Sequence, residues 1–188
     1  MRNWIIVLSI GSAATVHAEP PAAEPATADR GYVSLAGASG AGYTVDWLYA
    51  GLELEGGYRV SDRWYVHGEV GELGRAGYGT TQDFTLMAPR TPTYEARVGL
   101  EARGCHSIVL CGYAGVDAGY RVSTGMDNNY GTGEGVVVVP RAGLDIGLGS
   151  RDLRFRPGVE LRITNPPSSS DAPLALGIGA TAALAYRF

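Results

Sequence analysis

From Gly31 onward the chain alternates apolar residues with polar or small ones at period two, the spacing that sends successive side chains to opposite faces of a strand. The pattern is plainest over Leu174–Phe188. One parity reads Leu174, Leu176, Ile178, Ala180, Ala182, Leu184, Tyr186 and Phe188; the other reads Ala175, Gly177, Gly179, Thr181, Ala183, Ala185 and Arg187. Seven earlier segments repeat it. The first, Gly31 to about Gly40, has ambiguous faces, because Val33 and Leu35 compete with Tyr32 and Ala36. The second, 48–60, sets Leu48, Leu52, Leu54 and Tyr58 against Glu53, Glu55 and Arg59. The third, Trp64 to about Leu73, sets Trp64, Val66 and Val70 against Tyr65, His67 and Glu69. The fourth, 94–103, opposes Tyr94, Val98 and Leu100 to Glu95, Arg97, Glu101 and Arg103. The fifth, about 110–121, opposes Val116 and Tyr120 to Tyr113, Asp117 and Arg121. The sixth, 136–148, places Arg141 and Asp145 behind Val138, Leu144 and Ile146. The seventh, 153–163, places Arg154, Arg156, Glu160 and Arg162 behind Leu153, Phe155, Val159 and Leu161.

Short and long connections alternate. Ser61–Arg63 and Gly149–Asp152 are tight turns, whereas 75–92, 122–135 and 164–173 are long and polar, and both ends of the strand array fall on the short-turn side. Strands of roughly ten residues are what a tilted membrane strand needs, and bacterial barrels pair an even strand number with short periplasmic turns and longer outer loops. The pattern predicts a closed, eight-stranded, antiparallel up-and-down transmembrane β-barrel over residues 31–188. No run of 18 apolar residues marks a spanning helix.

The closing strand, with its alternating apolar residues and final Phe188, resembles the last strand of bacterial outer-membrane barrels. The whole array is similar to the small barrels of the OmpA, OmpX and OmpW type, as a pattern; only the last strand is family-like in detail. The resemblance implies residence in a bacterial outer membrane after secretion across the inner one, contact with outer-membrane lipid, and recognition of Tyr186 and Phe188 by the barrel assembly machinery as an assembly signal. A monomer is expected. The amino terminus agrees: Met1-Arg2-Asn3, the apolar run Trp4–Ala14 and the small residues of Val16-His17-Ala18 predict a signal peptide over 1–18. Residues 19–30, Pro- and Ala-rich and without periodicity, read as a disordered periplasmic tail.

Alternation alone does not say which face is outside. A soluble lipocalin-like barrel of the periplasm would put the leucines inside around a ligand. Three features favour lipid outside. The charged parity is rich in glycine (Gly51, Gly57, Gly71, Gly99, Gly115, Gly119, Gly143, Gly147, Gly158), as a narrow lumen holding Arg and Glu requires. Aromatic residues of the apolar parity gather at strand ends, Tyr58, Trp64, Phe155, Tyr186 and Phe188 at one level and Tyr94 and Tyr120 at the other, as two bilayer interfaces select. The apolar parity of the second and the fourth to eighth strands carries no charge. Pro140 and Pro157 fit less well, since each removes a ladder hydrogen bond from a barrel without a free edge; Pro157-Gly158 suggests a bulge, and Pro140 has no account.

With the faces so assigned, the lumen collects Glu53, Glu55, Arg59, Glu69, Glu95, Arg97, Glu101, Arg103, Asp117, Arg121, Arg141, Asp145, Arg154, Arg156, Glu160 and Arg162, with Arg187 on the same parity. Eight strands enclose a space just wide enough for side chains to fill. The expectation is an Arg–carboxylate network that plugs the lumen, each charge compensated because a lone buried one is costly. A polar pore, or a conduit for apolar ligands as OmpW resemblance implies, is the alternative. The chain contains no lysine, and Arg suits crowded, multi-partner ion pairs better. The net charge of -4 excludes a nucleic-acid partner of the usual basic kind.

Cys105 and Cys111 flank one short turn and predict a structural disulfide in an oxidising compartment, stabilising by about 2 kcal/mol. His106 between them lacks the companions of a metal site, and no cofactor is expected. Catalysis would need a base–nucleophile pair, for which His67, beside Glu69, and Ser34 are the sole vague candidates; the His-x-Ser-Asn signature of outer-membrane lipid A deacylases is missing. Gly37–Gly42 (GASGAG) lacks the ending of a phosphate loop and reads as a loop tip. The function expected is therefore non-enzymatic: an integral barrel with a structural or adhesin-like surface role, its surface partner unnamed by any motif in the loops.

Overall fold

The computed structural model describes residues 30–42, 47–77, 91–123, 134–149, 152–165 and 174–188. Residues 1–18, expected to be a signal peptide, all of the expected tail but Arg30, and the tips of the long connections lie outside them. The strands are β1 (Gly31–Gly42), β2 (Trp47–Arg59), β3 (Trp64–Gly77), β4 (Thr91–Cys105), β5 (Leu110–Ser123), β6 (Glu134–Gly147), β7 (Leu153–Thr164) and β8 (Ala175–Arg187). Each pairs antiparallel with the next, and β8 returns to β1, closing the barrel. The final residue completes the closure. Gly31 N donates to Phe188 O at 3.0 Å, and Phe188 N donates back to Gly31 O at 3.0 Å. Closure matters because hydrocarbon offers no partner to a free N–H or C=O, so the wall must satisfy its own backbone.

The exterior is apolar and the interior charged. Leu52 and Val98 are 62% and 68% exposed, whereas Glu101, Asp117 and Asp145 are 0% exposed. No water-soluble barrel would turn its leucines out and bury its carboxylates, so the lipocalin-like arrangement is overturned. Pairing also settles β1: Ser34 stands opposite Glu55, so Tyr32, Ser34, Ala36 and Ala38 face inward while Val33 and Leu35 face lipid.

Several local expectations change. Gly37–Gly42 is not a loop tip; it belongs to β1 and pairs on both sides, Gly37 with Leu52 and with Ala182. Strands run further toward the long loops than the apolar pattern indicated, β3 to Gly77 and β4 from Thr91, because ladder bonds continue past the apolar belt into polar rims. Glu134 starts β6 on the outer face, where Tyr120 Oη donates to it at 3.0 Å. The turn after β6 needs a left-handed residue and finds one in Gly149, with φ of 75°.

Both prolines are placed without a bulge. The β5–β6 ladder runs through Val116↔Pro140 and the β7–β8 ladder through Pro157↔Ala182. The β6–β7 ladder instead breaks twice. It pairs Val138↔Ile163, resumes at Arg141↔Glu160, continues to Gly143↔Gly158 and resumes again at Ile146↔Phe155, in one unchanged register. An inserted residue would have shifted that register. Pro140 therefore stands opposite Leu161 and Pro157 opposite Leu144, and both missing donors fall in one junction.

The inner wall is uneven. Along β8 and β1, between Tyr32 and Arg187 at one end and the long loops at the other, it is made of small residues such as Ala183, Ala185, Thr181, Ser34, Ala36 and Ala38, which leaves room for the long side chains opposite. Inward glycines serve the same end. A Cβ on Gly99 would meet Asp117 Oδ1 and His67 Nε2, whereas one on the outward Gly68 finds no atom nearer than 3.9 Å. Gly99→Val should lower stability by about 3 kcal/mol, the upper range for overpacking, and Gly68→Val should stay within about 0.5 kcal/mol of the parent. Denaturant midpoints of the folded barrel in detergent or lipid, read by tryptophan fluorescence, check the contrast.

Candidate functional site: the charged lumen

Period two places every inward residue on one parity, and the eight strands bring those parities together around the axis. Among the described residues, eight guanidinium groups (Arg97, Arg103, Arg121, Arg141, Arg154, Arg156, Arg162, Arg187) face eight carboxylates (Glu53, Glu55, Glu69, Glu95, Glu101, Asp117, Asp145, Glu160). The formal charges cancel.

They form three linked groups. Nearest the long loops, Arg162 reaches Glu53 and Glu95 at 2.5 Å each and Glu160 at 2.6 Å. Arg97 joins Glu53 at 2.7 Å and also contacts Glu69, while Tyr49 Oη donates to Glu160 at 2.7 Å. At mid-barrel, Arg141 forks onto Glu55 at 2.8 and 3.1 Å and reaches Glu101 at 3.2 Å. Arg156 binds Glu101 at 2.5 Å, Arg103 binds the other oxygen of Glu101 at 2.5 Å, and Tyr32 Oη donates to Glu55. At the periplasmic end, Asp145 takes Arg154 at 2.5 Å and Arg187 at 2.7 Å. Arg141–Glu69 at 3.6 Å and Arg103–Asp145 at 3.5 Å connect the groups.

Aromatic rings fill between the ions. Arg103 lies 4.0 Å from the Tyr65 centroid, Arg156 4.5 Å from Tyr113 and Arg162 4.8 Å from Tyr49, distances at which a ring face attracts a cation. Sequence reasoning left these tyrosines out of the network. The signal was present, since each lies on the charged parity of its strand. The same tyrosines explain much of the glycine: the Tyr32 ring lies where a Cβ of Gly57 would stand, the Tyr49 ring against Gly40 and Gly179, and the Tyr113 hydroxyl against Gly143 and Gly158.

Two expected members need comment. Arg59 does not join the lumen. It sits at the periplasmic rim and pairs with Asp62 of the adjoining turn at 3.3 Å, because the last inward position of β2 already lies beyond the enclosed space. Arg121 is inward and buried, but its Nη2 donates to the Asn165 carbonyl at 2.5 Å, at the mouth facing the long loops. The buried apolar residues Leu73, Val137 and Val139 also face the lumen in the half nearer the long loops.

His67 enters a different constellation from the one suspected. Its Nε2 is 2.6 Å from Asp117 Oδ1 and 2.9 Å from Arg141 Nη2, while the buried Ser34 hydroxyl has no hydrogen-bond partner among the described residues and forms no pair with it. Glu55, His67 and Glu101 bring ligand atoms within 4.8 Å of one another, spacing that could hold a metal ion. The Arg141 guanidinium occupies that space and bonds to the same atoms. The cation of this cage is a side chain.

A disulfide joins Cys105 and Cys111 across the β4–β5 turn, where the two residues face each other in register. Arg154 clasps the turn from within the barrel, donating to the carbonyls of Ile108 at 2.8 Å and Val109 at 3.3 Å, and Gly147 N donates to Val109 O at 2.8 Å. The turn thus folds toward the periplasmic mouth. Inside the lumen the packing leaves a cavity of about 20 Å³ bordered by Tyr113, Thr181, Arg141, Arg156 and Glu55, room for about one water.

No protein-family model matches the chain, and no curated protein matches it in sequence. Solved structures do match in shape. Neisserial surface protein A superposes with a TM-score of 0.62 at 8% identity, covering 84% of this chain and 97% of that one. The fold is that of the small outer-membrane barrels. The outer membrane protein AlkL, solved in lipid bilayers, gives a TM-score of 0.53 at 14% identity, with 91% and 96% covered. The outer membrane protein OprG of Pseudomonas aeruginosa gives 0.51 at 13%, with 85% and 96% covered. The buried lumenal side chains form a second core, and that core can be tested. Arg141→Met, which takes one partner from each of four carboxylates (Glu55, Glu69, Glu101 and Asp117), should cost about 3–5 kcal/mol, and less than that when Glu55→Gln is made with it. Arg59→Gln should leave the denaturant midpoint unmoved. A double-mutant cycle on the folded barrel reads both.

Proposed function

We propose that this protein is a non-conducting structural barrel of the outer membrane that acts at the cell surface through its long loops, in an adhesin-like role. The observation that carries the reading is the packed charge network: charges bonded at hydrogen-bond distance, rings between them, and, where Tyr113, Arg141 and Arg156 meet, a cavity with room for about one water. A conducting pore needs a continuous column of water, and ions shared between partners, as Arg162 and Glu101 are, do not make way for one. With the lumen occupied and the wall committed to lipid, the loops are what remains to meet a partner, as loops on rigid scaffolds do. Their tips, residues 43–46, 78–90, 124–133 and 166–173, lie outside the described residues. The shape likeness to a Neisserial surface protein supports a surface role without assigning one.

The same reading has residues 1–18 removed as a signal peptide, residues 19–30 left as a periplasmic tail, and the β8 strand with Tyr186 and Phe188 used by the assembly machinery. Phe188 supports the last point, since its backbone completes the barrel and its ring stays 63% exposed on the lipid side. The barrel is monomeric in this reading, and its lumenal side chains perform no catalysis.

Planar-bilayer recording of the folded protein tests the plug. No stepwise conductance is expected; reproducible single-channel steps would replace this reading with that of a small channel. Display on cells tests the surface role. Shortening the three long loops to tight turns should abolish adherence to host-cell monolayers and leave the heat-modifiable gel band unchanged, whereas adherence that survives loop removal would sink it.

A further inference from the structure

We propose that the β6–β7 junction is a built-in lateral slit, the line along which this barrel opens at mid-wall to admit lumenal water while its other seven junctions stay shut. Seven positions are paired there, against eleven to thirteen at each of the others. The shortfall lies in two interior gaps, one around Pro140 and one around Pro157, and not in frayed ends. Proline has no N–H to give. Since Pro140 is paired toward β5 and Pro157 toward β8, the absent donors both face the shared junction, leaving the carbonyls of Leu161 and Leu144 without their usual partners. Such carbonyls are costly in hydrocarbon and draw water or a hydroxyl where one is within reach.

The inner side of the junction offers both. Between the gaps the inward pairs are Arg141↔Glu160 and Gly143↔Gly158, and at the second, next to the Pro157 gap, no side chain of either strand backs the wall. Behind it lies the Tyr113 ring, stacked on Arg156, with a hydroxyl that bonds to no described residue and borders the water-sized cavity together with Thr181. The ends of the junction are held. Arg154 on β7 bonds to Asp145 on β6 at 2.5 Å near the periplasmic end, and Val137↔Thr164 and Val138↔Ile163 pair at the other. A junction closed at both ends and weakened between them parts as a slit rather than unzipping. This inference does not depend on what the loops bind or on whether the axis conducts.

Backbone hydrogen exchange of the whole folded protein in lipid nanodiscs, resolved by amide, tests it. In the parent, the amides of Ala142, Leu144, Val159 and Leu161 should exchange at least about tenfold faster than those of Leu35 and Leu184 at the β1–β8 junction, while Val138 and Phe155 at the slit's ends remain as slow as the latter. Pro140→Val with Pro157→Val, both outward-facing and compatible with lipid, should bring the four fast amides to within about threefold of the rest. Uniform protection in the parent overturns the proposal even if the double variant fails to fold. Persistence of fast exchange in a folded double variant overturns it as well, by showing that the prolines are not its cause.

Discussion

A charge inside a narrow, eight-stranded barrel must meet its opposite, and most of this molecule can be understood from that requirement. Each buried ion costs several kcal/mol in desolvation unless a counter-ion and further hydrogen bonds offset it. Eight carboxylates and seven of the eight guanidiniums fulfil the condition as a set, not as separate pairs, while Arg121 bonds to the Asn165 carbonyl. Arg162 serves three carboxylates and Glu101 serves three arginines. A planar donor with five N–H groups in a fixed fork suits such sharing better than a compact, strongly hydrated ammonium, which gives the chain's complete use of Arg over Lys a physical reason. It also makes the network collective, so that loss of one member leaves several neighbours unpaired.

The size of the guanidinium then dictates the rest of the wall. Arginines from β4, β6 and β7 extend across the axis, and something opposite must be small. The alanines, serine and threonine of β8 and β1 provide that space, and glycines under the tyrosine rings provide more. The rings in turn replace water as the medium between cations. Glycine content, tyrosine placement and the blandness of the first and last strands are therefore one feature seen from three sides. None of them concerns the lipid face, whose leucines and valines are interchangeable so long as they remain apolar.

Period two made the strands, their number and the charged parity legible in the sequence, because a lipid-facing wall forbids exceptions on one side and a narrow lumen limits size on the other. Legibility failed where those two pressures relax. Arg59 shares the lumenal parity but sits past the enclosed space, and parity alone carries no depth. Strand ends near the long loops were set too short, since ladder bonds outlast the apolar belt at Gly77 and Thr91. Gly37–Gly42 reads as a loop from composition alone, whereas Gly40 is small because the Tyr49 ring of β2 lies against it, a reason that exists only in three dimensions. The pairing of His67 with Asp117, fifty positions away, was likewise beyond any local pattern.

The prolines show how a closed wall tolerates what it should exclude. A barrel has no edge on which to hide a missing donor, so two prolines must cost two ladder bonds wherever they stand. Their distribution still matters. Had Pro157 faced β8, two junctions would each carry a defect, and the C-terminal strand that closes the barrel would be one of them. With both donors missing from β6–β7, the closing junction keeps its ladder through Phe188 and the weakness is confined between two secured ends. The Arg154–Asp145 pair secures one of those ends and the disulfide-bridged turn at once, so the ion network that fills the lumen also limits how far its wall can part.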